Sequence, residues 1–186
     1  MTRLLALLVV VLAAAACGSD ESETTAPPPT LPAAALRDLA SSVRTLDTAA
    51  LAADAFEQGE LEGILTAGGF TTGSEREYSG KTETFDHVVA RTLVFEDVAG
   101  ASAYLDWLGA HGDDILGRAD ATGVALPGDS GVAFVLEPCG ICKKELPTYL
   151  AGWRRGEVVL TLLAAGSGAT PDRFLALARQ LDETVR

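Results

Sequence analysis

Cys139 and Cys142 stand in the run Glu137-Pro138-Cys139-Gly140-Ile141-Cys142-Lys143-Lys144-Glu145-Leu146-Pro147, and the third cysteine of the chain is Cys17. Two thiols at Cys-x-x-Cys spacing can close a disulfide that staples a loop. The ring is short and often strained, so such a bond tends to be more reducible than a structural one, which also makes a redox couple conceivable. A third chemistry adds His87 and His111 to give a Cys2His2 zinc set. Those histidines are 24 residues apart, whereas a compact site spaces them by roughly three to five. Two surface histidines are the plainer expectation, and no metal or cofactor is expected.

The N-terminus decides which compartment these thiols meet. Met1 to Arg3 form a short positive segment, and Leu4 to Ala16 are thirteen consecutive apolar residues. That run is too short for a membrane-spanning helix, which needs about 20 residues, and suits the apolar region of a signal peptide. Ala14-Ala15-Ala16 then meets Cys17, followed by Gly18-Ser19-Asp20. This junction resembles the lipobox of bacterial lipoproteins. The resemblance implies cleavage before Cys17, a lipid on Cys17 and a chain held to the membrane through it. Ala14-Ala15-Ala16 also fits an ordinary secretory cut, which would leave Cys17 a free thiol. Residues 18–32, GSDESETTAPPPTLP, are polar and then Pro-rich, too poor in apolar groups to offset the entropy of ordering themselves. The expected organisation is a signal peptide over 1–16, a lipidated Cys17 and Pro-rich tether over 17–32, and one domain over 33–186.

In an oxidising compartment the two cysteines left beside the anchor should pair, Cys139 with Cys142. Their segment also resembles the active-site stretch of thioredoxin-like thiol reductases, whose motif continues Cys-x-x-Cys-Lys-Lys-Glu-x-Pro. The resemblance implies Cys139 as nucleophile and Cys142 as resolving thiol. A helix N-terminus together with Lys143 and Lys144 would stabilise the thiolate. It covers about nine to fifteen residues, with Pro138 where the family has Trp. Only 44 residues follow Cys142, too few for the strands, helices and cis-Pro hairpin that complete a thioredoxin fold. The expectation is therefore a staple between two strands, with Pro147 leading into a strand over Thr148–Trp153. A helix over 139–151 would favour the redox reading instead.

Gly128-Asp129-Ser130-Gly131 is similar to the serine motif of chymotrypsin-like proteases, whose chemistry needs a His base and a buried Asp around the Ser. His111 lies only 19 residues upstream and one domain cannot hold two barrels, so a loop is expected. Gly166-Ser167-Gly168 could cradle an anion at a helix start, although Thr170-Pro171 explains the stretch as capping. Glu96-Asp97 and Asp113-Asp114 read as solvated charge. No complete catalytic set is found.

The elements that must position these residues follow from periodicity. Leu36, Leu39, Val43 and Leu46 recur at helical spacing, predicting an amphipathic helix over 33–46. Asp47 or Thr48 can cap a turn carrying Leu51 and Phe56, and Leu61, Ile64 and Leu65 mark a short helix ended by Gly68-Gly69. Residues 70–79 and 82–95 are rich in Thr, Val, Tyr and Phe and read as strands, with Phe85, Val89, Leu93 and Phe95 turned to the core. A helix is expected over 98–111, a loop over 112–130, and strands over 132–136 and 158–163 with a turn between Trp153 and Glu157. Thr170-Pro171-Asp172 starts a last helix that buries Phe174, Leu177, Ala178, Leu181 and Val185. Two strand-then-helix stretches, ending at Leu108 and Leu181, form a possible weak duplication. The fold class expected is α+β, an antiparallel sheet of about five strands covered by amphipathic helices.

With 186 residues, 48% of them apolar, one core is within reach. Fourteen Lys plus Arg against 26 Asp plus Glu give a net charge of −12, which disfavours nucleic-acid binding, since that needs a basic face. It also disfavours docking on anionic lipid. The whole pattern resembles small extracytoplasmic lipoproteins of unassigned function. The expected role is a non-catalytic binding or accessory domain of the cell envelope, with an envelope ligand or protein as partner. The alternative is a thiol–disulfide oxidoreductase using Cys139 and Cys142.

Overall fold

The computed structural model describes residues 26, 28–31, 34–53, 55, 57–117, 119–138 and 146–185. A 3-10 turn, Ala34–Leu36, leads into strand β1 (Ala40–Leu46). Two short helices follow, α1 (Thr48–Ala53) and α2 (Gln58–Ala67), then strands β2 (Phe70–Ser79) and β3 (His87–Phe95) and the long helix α3 (Val98–Leu116). The second half runs through β4 (Asp120–Ala121), β5 (Ser130–Leu136), β6 (Thr148–Arg155), β7 (Val158–Ala165) and α4 (Pro171–Glu183). Among the described residues the seven strands form one sheet in the order β1-β2-β3-β7-β6-β5-β4, with every neighbouring pair antiparallel. The mixed α/β class agrees with the sequence reading. The strand count does not, since seven strands stand where about five were expected.

The two additional strands are β1 and β4. Where a helix was expected over 33–46, the described residues 34–46 form a turn and an edge strand instead. The helical spacing of Leu36, Leu39, Val43 and Leu46 is coincidental, because Ser41-Ser42-Val43-Arg44-Thr45 is poor in helix formers and carries two β-branched residues that suit a strand. Only Leu46 of β1 is buried, and Val43 stays 52% exposed. The stretch expected as loop from 112 begins inside α3, which runs on to Leu116. It ends at Gly117, whose φ of 71° supplies the left-handed turn that stops a helix, and β4 follows.

Both faces of the sheet are covered, which is why β7 reads VVLTLLAA without alternation. On one face, Phe174, Leu177, Ala178 and Leu181 of α4 pack over Val88, Ala90, Leu160 and Leu162. Tyr149 stacks on Phe174 with centroids 5.3 Å apart. Leu31, Leu36 and Leu39 join this layer beside Tyr78, whose hydroxyl accepts from the Leu31 N–H at 3.2 Å. On the other face α1, α2 and α3 cover Leu46, Leu93, Phe95, Leu150 and Val159. The two strand-then-helix stretches place their helices on opposite faces of the sheet, so a simple two-fold repeat does not relate them.

The caps follow local chemistry. Asp47 Oδ1 accepts from the Ala50 N–H at 2.7 Å at the start of α1. Asp97 accepts from the Gly100 N–H at 2.8 Å to start α3, and Thr170 accepts from the Arg173 N–H ahead of Pro171 to start α4. No helix among the described residues is long and apolar enough to cross a membrane.

Candidate functional site

Residues directly opposed in an antiparallel ladder share a face. The register therefore aligns one row across six strands on the α1–α3 face: Arg44, Glu75, Arg91, Thr161, Gly152 and Val132. The charged end of this row is tightly bonded. Arg44 donates from Nε to Glu75 Oε1 at 2.7 Å and from Nη2 to Oε2 at 3.2 Å. Arg91 donates from Nε to Glu75 Oε2 at 2.6 Å. The Glu75 side chain is only 6% exposed and that of Arg91 24%. At the far end, Gly152 leaves room for helix α3, since a β-carbon there would lie 2.5 Å from Leu108 Cδ2.

Above the middle of this row, between the sheet and the three helices, lies a cavity of about 220 Å³. Its apolar walls include Leu51, Leu61, Trp107, Leu108, Leu150 and Leu163, while Arg91, Tyr104 and Thr161 supply polar groups. Aromatic rings run along α3 beside it, with centroids 5.9 Å apart for Tyr104–Trp107 and 5.4 Å for Trp107–His111. The Trp107 indole N–H is buried and has no acceptor among the described residues. An apolar cavity with a few convergent polar groups is the usual form of a small-molecule site.

Two titrations follow from this geometry. Burial pushes the Tyr104 pKa up, against the opposing charge and hydrogen bond of Arg91, so its hydroxyl keeps its proton at neutral pH. Burial also disfavours the Glu75 carboxylate, but the hydrogen bonds and charges of Arg44 and Arg91 outweigh it and hold its pKa below the ordinary 4.5. A carboxyl depressed on folding stabilises the protein above its unfolded pKa, and that contribution is lost as pH falls through the folded value. Stability from Glu75 should therefore persist down to about pH 4.5 and then decline. Urea midpoints measured from about pH 7 to about pH 3 should show a shallower acid limb for Glu75→Gln than for the natural chain. Parallel curves would contradict the paired state of Glu75.

The residues singled out in the sequence fall elsewhere. Cys17, Cys139 and Cys142 lie outside the described residues, as do Lys143 and Lys144. Leu136 pairs with Thr148, so the cysteine segment connects two neighbouring antiparallel strands. Thr148–Arg155 is a strand, where the redox reading required a helix reaching residue 151. His87 and His111 face separate carboxylates, Glu77 at 3.0 Å and Glu60 at 3.4 Å. No group of three or more His, Cys, Asp or Glu suited to a metal occurs among the described residues.

Asp129 Oδ2 accepts from the Gly156 N–H at 3.0 Å, and Ser130 opens β5, so the Gly-Asp-Ser-Gly stretch closes a loop onto the β6–β7 turn. β-Carbons at Gly166 and Gly168 would overlap the Thr84 and Glu83 carbonyls, so these glycines let the segment pack against the 82–86 loop. Asp97 of the Glu96-Asp97 pair is the α3 cap.

No family model matches the chain, and no curated protein matches it. Among solved structures the chain is similar to the extracellular domain of PknH from Mycobacterium tuberculosis, at 14% identity and a TM-score of 0.46. The likeness covers 79% of this chain and 82% of that one. The cavity must therefore be read from its own side chains.

The row that floors it was missed in the sequence because its members come from six strands and meet only through register. One signal was available: Arg91 interrupts the apolar run Val88-Val89-Ala90-Arg91-Thr92-Leu93-Val94-Phe95. A charge inside a strand that apolar residues otherwise fill must be paired, and frequently marks a site.

Proposed function

We propose that this chain is a lipid-anchored extracytoplasmic domain of the cell envelope that binds a small molecule between its sheet and helices α1–α3, without chemistry of its own. The cavity over Arg91 carries this reading, because it joins apolar walls to convergent polar groups, and the described residues that line it include no nucleophile paired with a base. The Ala14-Ala15-Ala16-Cys17 junction supports the anchor, and the Pro-rich stretch after it supports a tether. Cys139 and Cys142 serve in this reading as a staple of the β5–β6 connection.

The two halves of the proposal are tested separately. Replacing Cys17→Ala should move the protein from the membrane fraction to the soluble extracytoplasmic fraction and abolish labelling by a fatty-acid analogue. Retention in the membrane with labelling intact would contradict the anchor. For the cavity, native mass spectrometry of the purified full chain should reveal a small molecule retained by the natural protein. Val89→Trp, which fills the cavity from β3, should not retain it. Equal retention by both would place binding elsewhere.

A further inference from the structure

Resting on the binding reading, we infer that the cavity takes an uncharged, mostly apolar molecule with an oxygen that accepts a hydrogen bond, such as a medium-chain alcohol. The floor decides the charge. Arg91 is the one ionic side chain among the described residues that line the cavity. It donates to Glu75 at 2.6 Å and hydrogen-bonds Tyr104, while Glu75 is held in turn by Arg44. The guanidinium is thus engaged by the protein's own groups, and Tyr104 keeps its proton and adds no charge. An ion entering the cavity would give up its hydration with no counter-charge in waiting, a cost that an uncharged ligand does not meet.

The mouth of the cavity points the same way. Ile115, 37% exposed, carries the lining out to the surface. Its neighbours on α3, Asp113 and Asp114, are exposed carboxylates. They and the chain's charge of −12 oppose an approaching anion. A cation that passed them would meet the like charge of Arg91 inside.

Trp107 calls for the oxygen. It lines the cavity, it is only 5% exposed, and its indole N–H has no acceptor among the described residues. Of the buried side-chain atoms left without a partner there, this nitrogen alone belongs to the cavity lining. An indole can only donate. A buried donor without an acceptor carries a penalty that a ligand oxygen removes and a plain hydrocarbon does not.

Size sets the body. A volume of about 220 Å³ lies below the roughly 300–1,000 Å³ of pockets for drug-sized ligands, which suits a single short chain. Octanol combines such a chain with an oxygen, and octanoate is its charged counterpart of nearly the same shape.

Equilibrium dialysis of the full chain against octanol and octanoate at neutral pH tests the inference. Octanol should be held about tenfold or more tightly than octanoate, because only the carboxylate must be stripped of water without a partner. Trp107→Phe keeps a ring and removes the N–H, and should weaken octanol about fivefold, the worth of one hydrogen bond. An unmoved Trp153 indole resonance in that variant reports an intact fold. Octanoate held as tightly as octanol, or octanol binding indifferent to Trp107→Phe, would overturn the inference while leaving the cavity as a binding site. Failure to bind either ligand, or octanol binding that survives Val89→Trp, would overturn the inference and the binding reading together.

Discussion

Replacing Asp182→Ala should destabilise the protein by roughly 2–3 kcal/mol, although the residue lies on a surface helix. Its side chain is only 1% exposed, buried at the end of the amphipathic face of α4. There it accepts from the Trp153 indole N–H at 3.2 Å and takes a two-pronged contact from Arg155, Nε to Oδ1 at 2.6 Å and Nη2 to Oδ2 at 2.5 Å. Arg155 is 32% exposed and can return its charge to water. Trp153 cannot, since it is fully buried, so alanine leaves an indole N–H without an acceptor in the core. That loss dominates the effect. Asp182→Asn keeps a carbonyl for Trp153 and should cost about half as much. Thermal unfolding should show a fall in Tm on the order of 5–10 °C for the alanine variant. An unchanged Tm would mean that the α4–β6 contact does not depend on this carboxylate.

Gly100→Ala should cost about 3 kcal/mol, the largest effect expected of any single methyl group added to the helices. A β-carbon on Gly100 would overlap the Gly68 carbonyl oxygen, backbone against backbone, where α2 ends on the first turn of α3. No rotamer change relieves a clash of this kind, so α3 has to lift and its contacts with Phe95 and Leu150 loosen. Gly63→Ala provides the contrast. It sits in the exposed middle of α2, where an added β-carbon meets nothing within 4 Å. Helix propensity alone should then stabilise the chain by up to about 1 kcal/mol. Urea midpoints of the two variants should move in opposite directions. Movement of both in the destabilising direction would contradict the close α2–α3 approach.

These two positions mark the limit of what the sequence discloses. The Thr170 cap and the apolar faces of α3 and α4 are local patterns, and each was legible, whereas Asp97, read as solvated charge, is the cap of α3. So were β2, β3 and the β6–β7 hairpin, because their residues favour strands and their turns carry Gly. What was lost depends on pairing over long separations. β1 is a strand because it finds β2, with Arg44 opposite Glu75, and nothing within residues 33–46 announces that partner. Asp182 reads as one more exposed charge until Trp153 and Arg155 are brought beneath it. The binding row is the extreme case, with Arg44, Glu75, Arg91 and Thr161 drawn from four strands. The cysteines drew attention in the sequence because their spacing is local, whereas the cavity is lined by residues that no short motif unites.

The two tryptophans offer the most direct test of the cavity as a binding site. Trp107 lines it, while Trp153 is buried under α4 on the opposite face of the sheet. Indole 15N–1H spectra of the full chain should therefore be recorded during titration with octanoate and, separately, octanol. The account predicts that the Trp107 resonance moves saturably with at least one of them while that of Trp153 stays in place. A Trp107 resonance indifferent to both, or equal movement of the two indoles, would contradict it.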